Sequence, residues 1–545
     1  MSKIAKKLIT ACLAVVCAFG MTACGDSGNS QNNGSGGGTG ENGALTISAV
    51  KLGYGVEWLY NIASEFEKKE NVKVTIKPPA VGATGQAALD TEIESKASDS
   101  DLFFNKRGWF SKAVYEGKIV AGNGKTYECL YEDLTDVWNS VVDEGSTKTI
   151  KDKIDPTYVA SSEIEGKYYS LPWAGGVYGI VRNLNKWEEL GLTDEDVPLT
   201  TNELFALCEK VKDKIAPFIY SLESEYYTAW MPTFFAQYEG KANAEAFMEG
   251  KDPDGEVSEY IYTYDGQLEA LKVLQTLLDN KNEYQHDRST AIDFTAMQGQ
   301  FIRGAALFSI NGSWLENEAS NFSSAKLDMI KTPVISSLVQ KLSFCPTDGD
   351  GKKIKADNFT AEQKKTADEK LVELIKYVDA VDAGETSVKP EGVTDEDIAK
   401  VTEARHYSYM AGGTDHQAYI PSYAKNVENA KKFLKFMYSD EGMNIYYKTM
   451  KGATLPATPV NGYKEEVTLS EFRKSVNAAT EEGYTFDRIE KARYFVLASV
   501  SACMTNGVKP VVALRAGQTP QQIIDANSKD VKDKWESIKQ LLGIK

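Results

Sequence analysis

The chain has 545 residues, with 61 Lys and Arg against 78 Asp and Glu, and a formal net charge of −17. So acidic a chain is a poor nucleic-acid binder, because that function needs basic surface. Its length suits about two or three lobes rather than one core, and its cysteines include no C-x-x-C pair that would indicate a dithiol or zinc motif.

Residues 1–23 read as a leader. Lys3, Lys6 and Lys7 form a basic start, and Leu8 to Phe19 is an apolar stretch too short to span a bilayer comfortably. Loss of these lysines with the leader makes the chain more acidic still. In "MTACG", small residues precede Cys24, which resembles the lipobox of bacterial lipoproteins, with Met21 where that family prefers Leu. The resemblance implies cleavage before Cys24 and acylation of that cysteine. An ordinary secretion signal with a chance cysteine is the alternative. Residues 24–43 continue as a Gly/Ser/Asn-rich tether with too little apolar surface to fold. No later run is long and apolar enough to span a membrane.

The body opens with alternation over Ala44 to Val50, a first strand. Trp58, Ile62 and Phe66 then recur at helical spacing, and Val72, Val74 and Ile76 alternate again. This strand-helix-strand order starts an α/β sheet. "SDSDLFF", from Ser98, reads as another strand entry, with Asp101 ending it structurally. "GKYYSLPWAGGVYGIVRN", Gly166 to Asn183, joins a Pro-Trp step and a Gly pair to an alternating run. Helices follow at "TTNELFALCEKVKDKI", "DGQLEALKVLQTLLDN", "NVENAKKFLKFMYS" and "DVKDKWESIKQLL". Asp348 to Lys400 reads as an added helical excursion, not a separate functional domain.

Several chemistries are excluded. "GNGKT", Gly122 to Thr126, lacks the P-loop's first glycine, since Ile119 stands there. "GGVYG" lacks G-x-G-x-x-G spacing. His286, His406 and His416 form no zincin motif, and no nucleophile elbow occurs. "DPDG" and "DGDG" lack the full calcium loop and read as acidic turns. Neither catalytic residues, a metal nor a cofactor is assigned. A glycosidase needs only two carboxylates, so a secreted, lipid-anchored carbohydrate-active enzyme stays open as the alternative. A structural or adhesive lipoprotein is a third reading.

An ordered series carries the positive signal: "EFEKKENVKVTI", "SDSDLFFNKRGWFSKAVYEGKI", "LYEDLTDVW", Gly166 to Asn183, "PLTTNELFALCEKV", "MQGQFIRGAALFSINGSWLENE", "AKNVENAKKFLKFMYSDEGMNIYY" and "GATLPA". The series resembles the extracellular solute-binding proteins of ABC importers, of the maltose-binding type, and runs through nearly the whole mature chain. The excursion at Asp348 to Lys400 departs from shorter members. The resemblance implies a two-lobed, type II periplasmic-binding-protein-like α/β fold that grips a ligand in an interlobe cleft by hinge closure. The implied ligand is a carbohydrate, most naturally an oligosaccharide, delivered to ABC permease subunits by a monomer tethered to the outer face of a bacterial cell membrane. Lobe 1 would comprise 44–176 plus about 410–455, and lobe 2 would comprise 177–409 plus about 456–545.

Sugars present an apolar C–H face and a rim of hydroxyls, so aromatic planes and amide or carboxylate groups suit them. The matching segments offer Tyr54, with Trp58 as helix core, then Asn105, Arg107 and Trp109. Next come Glu225, Tyr226, Tyr227 and Trp230, of which about half should be core, as is usual for so dense an aromatic group. Asn311 and Trp314 follow, Trp314 standing at the position of a family stacking Trp. Gly412 and Gly413 allow close backbone approach, and Asp415 and His416 either face the cleft or lie in a solvated loop. Gly175 and Gly176 are expected to give backbone freedom at the crossing between lobes, placing Trp173 and Tyr178 near the ligand.

Overall fold

The first alternating run forms strand β1 (Ala44–Lys51) and the helical stripe forms α1 (Glu57–Glu70), which buries Trp58, Leu59, Ile62, Ala63 and Phe66. Asn71 ends α1 in the left-handed region, its N–H bonded to the Glu67 carbonyl. The computed structural model describes residues 43–106, 119–120, 126–127, 130–164, 166–222, 226–248, 250–318, 325–412, 416–482, 485–486 and 510–542. The proposed leader, Cys24 and most of the tether lie outside this set.

The chain continues through β2 (Lys73–Ile76), β3 (Ala80–Val81), α2 (Gly82–Glu94), β4 (Leu102–Lys106) and β5 (Leu171–Pro172). Asp101 is structural, as expected, but it stands just before β4 rather than ending a strand. Its carboxylate accepts from the Thr46, Lys425 and Asn426 backbone N–H groups and from the Asn426 amide. After β5 the chain crosses, through Trp173, to a second sheet. This begins with β6 (Gly176–Asn183) and continues through α3 (Thr201–Val211), β7 (Ala216–Phe218), α4 (Tyr226–Glu239), α5 (Asp265–Leu278), α6 (Phe294–Ile302), β8 (Ala306–Gly312), α7 (Leu315–Glu318) and β9 (Leu327–Ile330). Helices α8 (Ala361–Asp382) and α9 (Asp395–His406) lead to β10 (Tyr409–Gly412). The chain then returns to the first sheet at β11 (His416–Tyr419), continues through α10 (Val427–Met437) and α11 (Asp440–Thr449), and ends with α12 (Glu471–Glu482), β12 (Thr485–Phe486) and α13 (Pro520–Leu542).

The first sheet has the order β2-β1-β4-β11-β5, with β3 also on β1. Its β1, β2 and β4 run parallel, whereas β11 is antiparallel to β4 and β5. The second has the order β7-β8-β6-β10-β12, with β9 also on β6. Strand β6 is its axis, antiparallel to β8 (Ile180 opposite Ile310), to β9 (Ile180 opposite Ile330) and to β10 (Gly176 opposite Gly412). The central strands are buried along most of their length, β8 throughout, although β1 still alternates in sequence.

Thr200 caps α3, its hydroxyl accepting from the Glu203 N–H. The helices of the excursion pack into the second sheet's core. Helices α8 and α9 bury Leu371, Leu374, Ile375, Val378, Val401 and Ala404 in the apolar core shared with α4 and α5.

A buried ion group ties distant parts of the first lobe. The Lys153 ammonium, fully buried, meets Asp143 at 2.7 Å, Asp440 at 3.1 Å and the Tyr438 carbonyl at 2.7 Å. Asp440 also accepts from the N–H groups of Val460 and Asn461. Burial works against its charge, but the hydrogen bonds from Lys153, Asn461 and Val460 outweigh burial and hold its carboxyl below the ordinary range. Lys153→Met should cost about 3–5 kcal/mol in urea unfolding, because two buried carboxylates lose their cation. Since the folded-state value for Asp440 is depressed, its stabilisation is present above the ordinary carboxylate range and is lost as pH falls below it. Acid titration of the melting temperature should therefore show a shallower decline for the Lys153→Met variant.

Candidate functional site

The loop after β1 turns tightly at Gly55, in the left-handed region at φ 66°, with its N–H bonded to the Leu52 carbonyl. Only a residue without Cβ takes this turn cheaply, and it aims Tyr54 inward. The Tyr54 hydroxyl donates to the Gly175 carbonyl at 3.2 Å. Its ring lies 6.1 Å from Trp173, 5.1 Å from His416 and 5.7 Å from Trp314. Trp173 donates its indole N–H to the Asn105 carbonyl and stacks on Trp58 at 5.5 Å. Trp58 is thus helix core, and an unbroken aromatic series runs from it to Trp314.

Trp314 follows β8 of the second sheet, yet it packs into the apolar cluster of the first. Its ring meets Tyr178 edge-on at 4.7 Å and Tyr226 at 6.5 Å. Two glycines make room for it. A Cβ on Gly312 would lie 2.2 Å from the indole, and one on Gly412 2.8 Å. Gly176 serves similarly, because a Cβ there would meet the Ser313 hydroxyl at 2.1 Å, and one on Gly175 would meet Pro456 at 3.0 Å. Neither Gly175 nor Gly176 has positive φ, so the crossing uses them for close approach rather than unusual backbone angles.

Beside this series a cleft of about 600 Å³ opens between the lobes. One wall is Lys51–Gly55 and Glu57 with Val81 and Gly82, and the other is Thr295 and Gln298 of α6 with Asn317 and Glu318 of α7. Gln298 donates to the Glu318 carboxylate at 2.5 Å. The other Glu318 oxygen sits over Gly53, where a Cβ would approach it to 2.5 Å. Burial pushes the Glu318 carboxyl up, while the Gln298 hydrogen bond and the Lys106 charge oppose this. A smaller cavity of about 190 Å³ lies between α3, α5 and the start of α8. Its Asp368 is taken by Thr200 and Asn202, and its Lys272 by Glu269 and Asp357.

The residues selected from sequence separate into groups. Tyr54, Trp173, Tyr226, Trp314 and Gly412 come together at the junction. Asn105 is buried, with its amide on Asp90 at 2.8 Å. Tyr227, bonded to Gln285, and Trp230, bonded to Thr332, lie in the second lobe's core. Asn311 is fully buried, its carbonyl oxygen accepting from the Gly312 N–H and its amide nitrogen without a partner. Arg107, Trp109, Glu225, Gly413 and Asp415 lie outside the described residues. Among the described residues no cluster of His, Cys, Asp or Glu could hold a metal ion, and no helix is long and apolar enough to cross a membrane. Cys208 and Cys345 are buried free thiols.

Residues 61–468 match the model of a family described as bacterial extracellular solute-binding protein. The chain belongs to this family. Solute-binding proteins of this kind carry ligands and do not transform them, so the chain is not an enzyme. No curated protein sequence matches it significantly. Solved structures share its fold, an α/β fold related to type II periplasmic-binding proteins with two sheet lobes. RafE in complex with raffinose is 16% identical, covering 90% of this chain and 98% of that one, with a TM-score of 0.54. The apo form of RafE from Streptococcus pneumoniae gives 0.53 at 16% identity, covering 91% and 98%. A structure from work on xylan utilization by Caldanaerobius polysaccharolyticus gives 0.58 at 13% identity, covering 89% and 99%. AcbH, described with a preference for β-D-galactopyranose, gives 0.56 at 14%, covering 91% and 99%.

For this solute-binding protein, sequence reading missed Gln298, Asn317 and Glu318. A signal for Glu318 exists, since it stands four residues after Trp314, one helical turn on. Gln298 carries none, because only the approach of α6 to α7 brings it there. Gly312→Ala should displace the Trp314 indole and lower stability by about 1–3 kcal/mol, as overpacking does. Differential scanning calorimetry checks the loss, and a red-shifted tryptophan emission checks the displacement.

Proposed function

We propose that this solute-binding protein is the carbohydrate-capturing component of an ABC importer, of the maltose-binding type. It closes on an oligosaccharide between its lobes and delivers it, as a monomer, to membrane permease subunits. The observation that carries this reading is the cleft itself, an aromatic floor ending in Tyr54 with an amide and carboxylate wall at Gln298, Asn317 and Glu318. Aromatic faces cover the C–H face of a sugar, and the polar wall meets its hydroxyls. Closure excludes water and strengthens each of those contacts. RafE, solved in complex with raffinose, and AcbH, described with a preference for β-D-galactopyranose, agree with this chemistry.

Within this reading, residues 1–23 are a lipoprotein signal, Cys24 is lipidated and residues 24–43 form the tether. The lobes divide near Gly176, with a return near residue 410. Tyr54, Trp173, Tyr226, Asn311, Trp314 and Gly412 are proposed to surround the ligand, with Arg107, Trp109, Glu225, Gly413 and Asp415 contributed from neighbouring loops. Asn105, Tyr227 and Trp230 support the fold instead, since their polar groups are already engaged inside the lobes.

The test is a thermal-shift screen of the mature chain against a glycan panel, with chromatography of the glycans afterwards. A raised midpoint with intact glycan is expected, because a ligand selective for the native state stabilises it. Absence of any shift, or turnover of the glycan, overturns the reading. Trp314→Ala should weaken binding by at least about 1 kcal/mol, the scale of an aromatic contact. Unchanged affinity in a folded variant removes Trp314 from the site.

A further inference from the structure

We propose that Glu318, oriented by Gln298, sets the ligand class of the cleft: its carboxylate accepts hydroxyl hydrogens from an uncharged carbohydrate and turns away sugars that carry carboxylate or phosphate. This rests on the carbohydrate reading above.

Three observations carry it. First, Glu318 is placed rather than loose. Gln298, itself buried, donates to one carboxylate oxygen at 2.5 Å, and the other oxygen is set against Gly53 across the cleft. The carboxylate therefore stands in the cleft with lone pairs directed toward both walls. An ionised carboxylate only accepts hydrogen bonds, so its match is a hydroxyl and its mismatch is another anion.

Second, among the described residues that line the cleft, Lys51 is the one cation, against the carboxylates of Glu57 and Glu318. Lys106 already acts on Glu318. Lys51 is exposed at the rim, where Glu57 shares the same wall. On the described walls of the cleft an anionic sugar would therefore meet the Glu318 and Glu57 carboxylates with Lys51 as the one lining cation, and an unpaired charge is costly where water is excluded. Third, the neighbouring Asn317 presents an amide nitrogen that is buried and has no partner in the structure. Beside the Glu318 acceptor it supplies a donor, and an acceptor next to a donor fits adjacent hydroxyls, each of which both gives and takes a hydrogen bond.

The experiment is calorimetric titration of the mature chain with neutral di- and trisaccharides, raffinose among them, and with matched uronic-acid and phosphorylated sugars. The wild type should bind at least one neutral sugar and none of the acidic ones. Glu318→Gln should weaken the neutral sugar at least about tenfold, the scale of a hydrogen bond to a charged group, and should narrow the margin against the acidic sugars. Gln298→Leu should weaken it severalfold by freeing the carboxylate. The ligand-free melting temperature of each variant confirms folding. Should the wild type prefer an acidic sugar, or should folded Glu318→Gln bind the neutral sugar with full affinity, the selectivity proposal fails while the carbohydrate reading stands. Should no sugar of either kind bind, the carbohydrate reading fails and takes this proposal with it.

Discussion

The seating of the Trp314 indole across the junction constrains everything around it. The side chain belongs to a strand end of the second sheet and packs with the apolar cluster of the first. For that to happen, Gly312 and Gly412 have to lack Cβ atoms, Tyr54 has to be turned inward by the left-handed Gly55, and Tyr178 has to offer its edge. Neighbouring backbone is fixed in the same act. The Ser313 N–H bonds the Val177 carbonyl, its hydroxyl accepts from the Val177 N–H, and the Arg473 guanidinium reaches its carbonyl at 3.2 Å. The first crossing, the end of β8 and the final sheet-covering helix thus meet at one turn of chain.

The cleft inherits its chemistry from this arrangement. Its aromatic side is Tyr54, a buried ring at the edge of a core, so that ring is held by packing and has little freedom to lose on binding. Its polar side hangs from α7, a single helical turn fixed directly after Trp314. The apolar surface at Tyr54 and the polar groups of α6 and α7 thus come from separate segments that the junction holds together.

Much of this was legible in the sequence because local periodicity determines it. Trp58, Ile62 and Phe66 announce α1, and the alternation from Ala44 announces β1, since each element needs only its own apolar face to be recognised. What was not legible depends on partners distant in the chain. Composition alone does not distinguish Trp314, which reaches the junction, from Trp230, which packs in a core, because the partners that decide it are distant in the chain. Asn105 looked free to bond a ligand, but the turn of α2 brings Asp90 to it. The charged segment after Asp348 looked like an added excursion because its exposed face dominates its composition, whereas the narrow stripe through Leu371, Leu374 and Val378 is what the second lobe builds upon.

The series Trp58, Trp173, Tyr54 and Trp314 has an optical consequence. Its indoles lie in or against both sheets, with Trp173 stacked on Trp58 and Trp314 reached through a single tyrosine ring. Under the proposed closure, relative movement of the lobes would alter the distance and angle between these chromophores. The protein therefore carries its own gauge of lobe separation, readable in near-ultraviolet circular dichroism without any attached label.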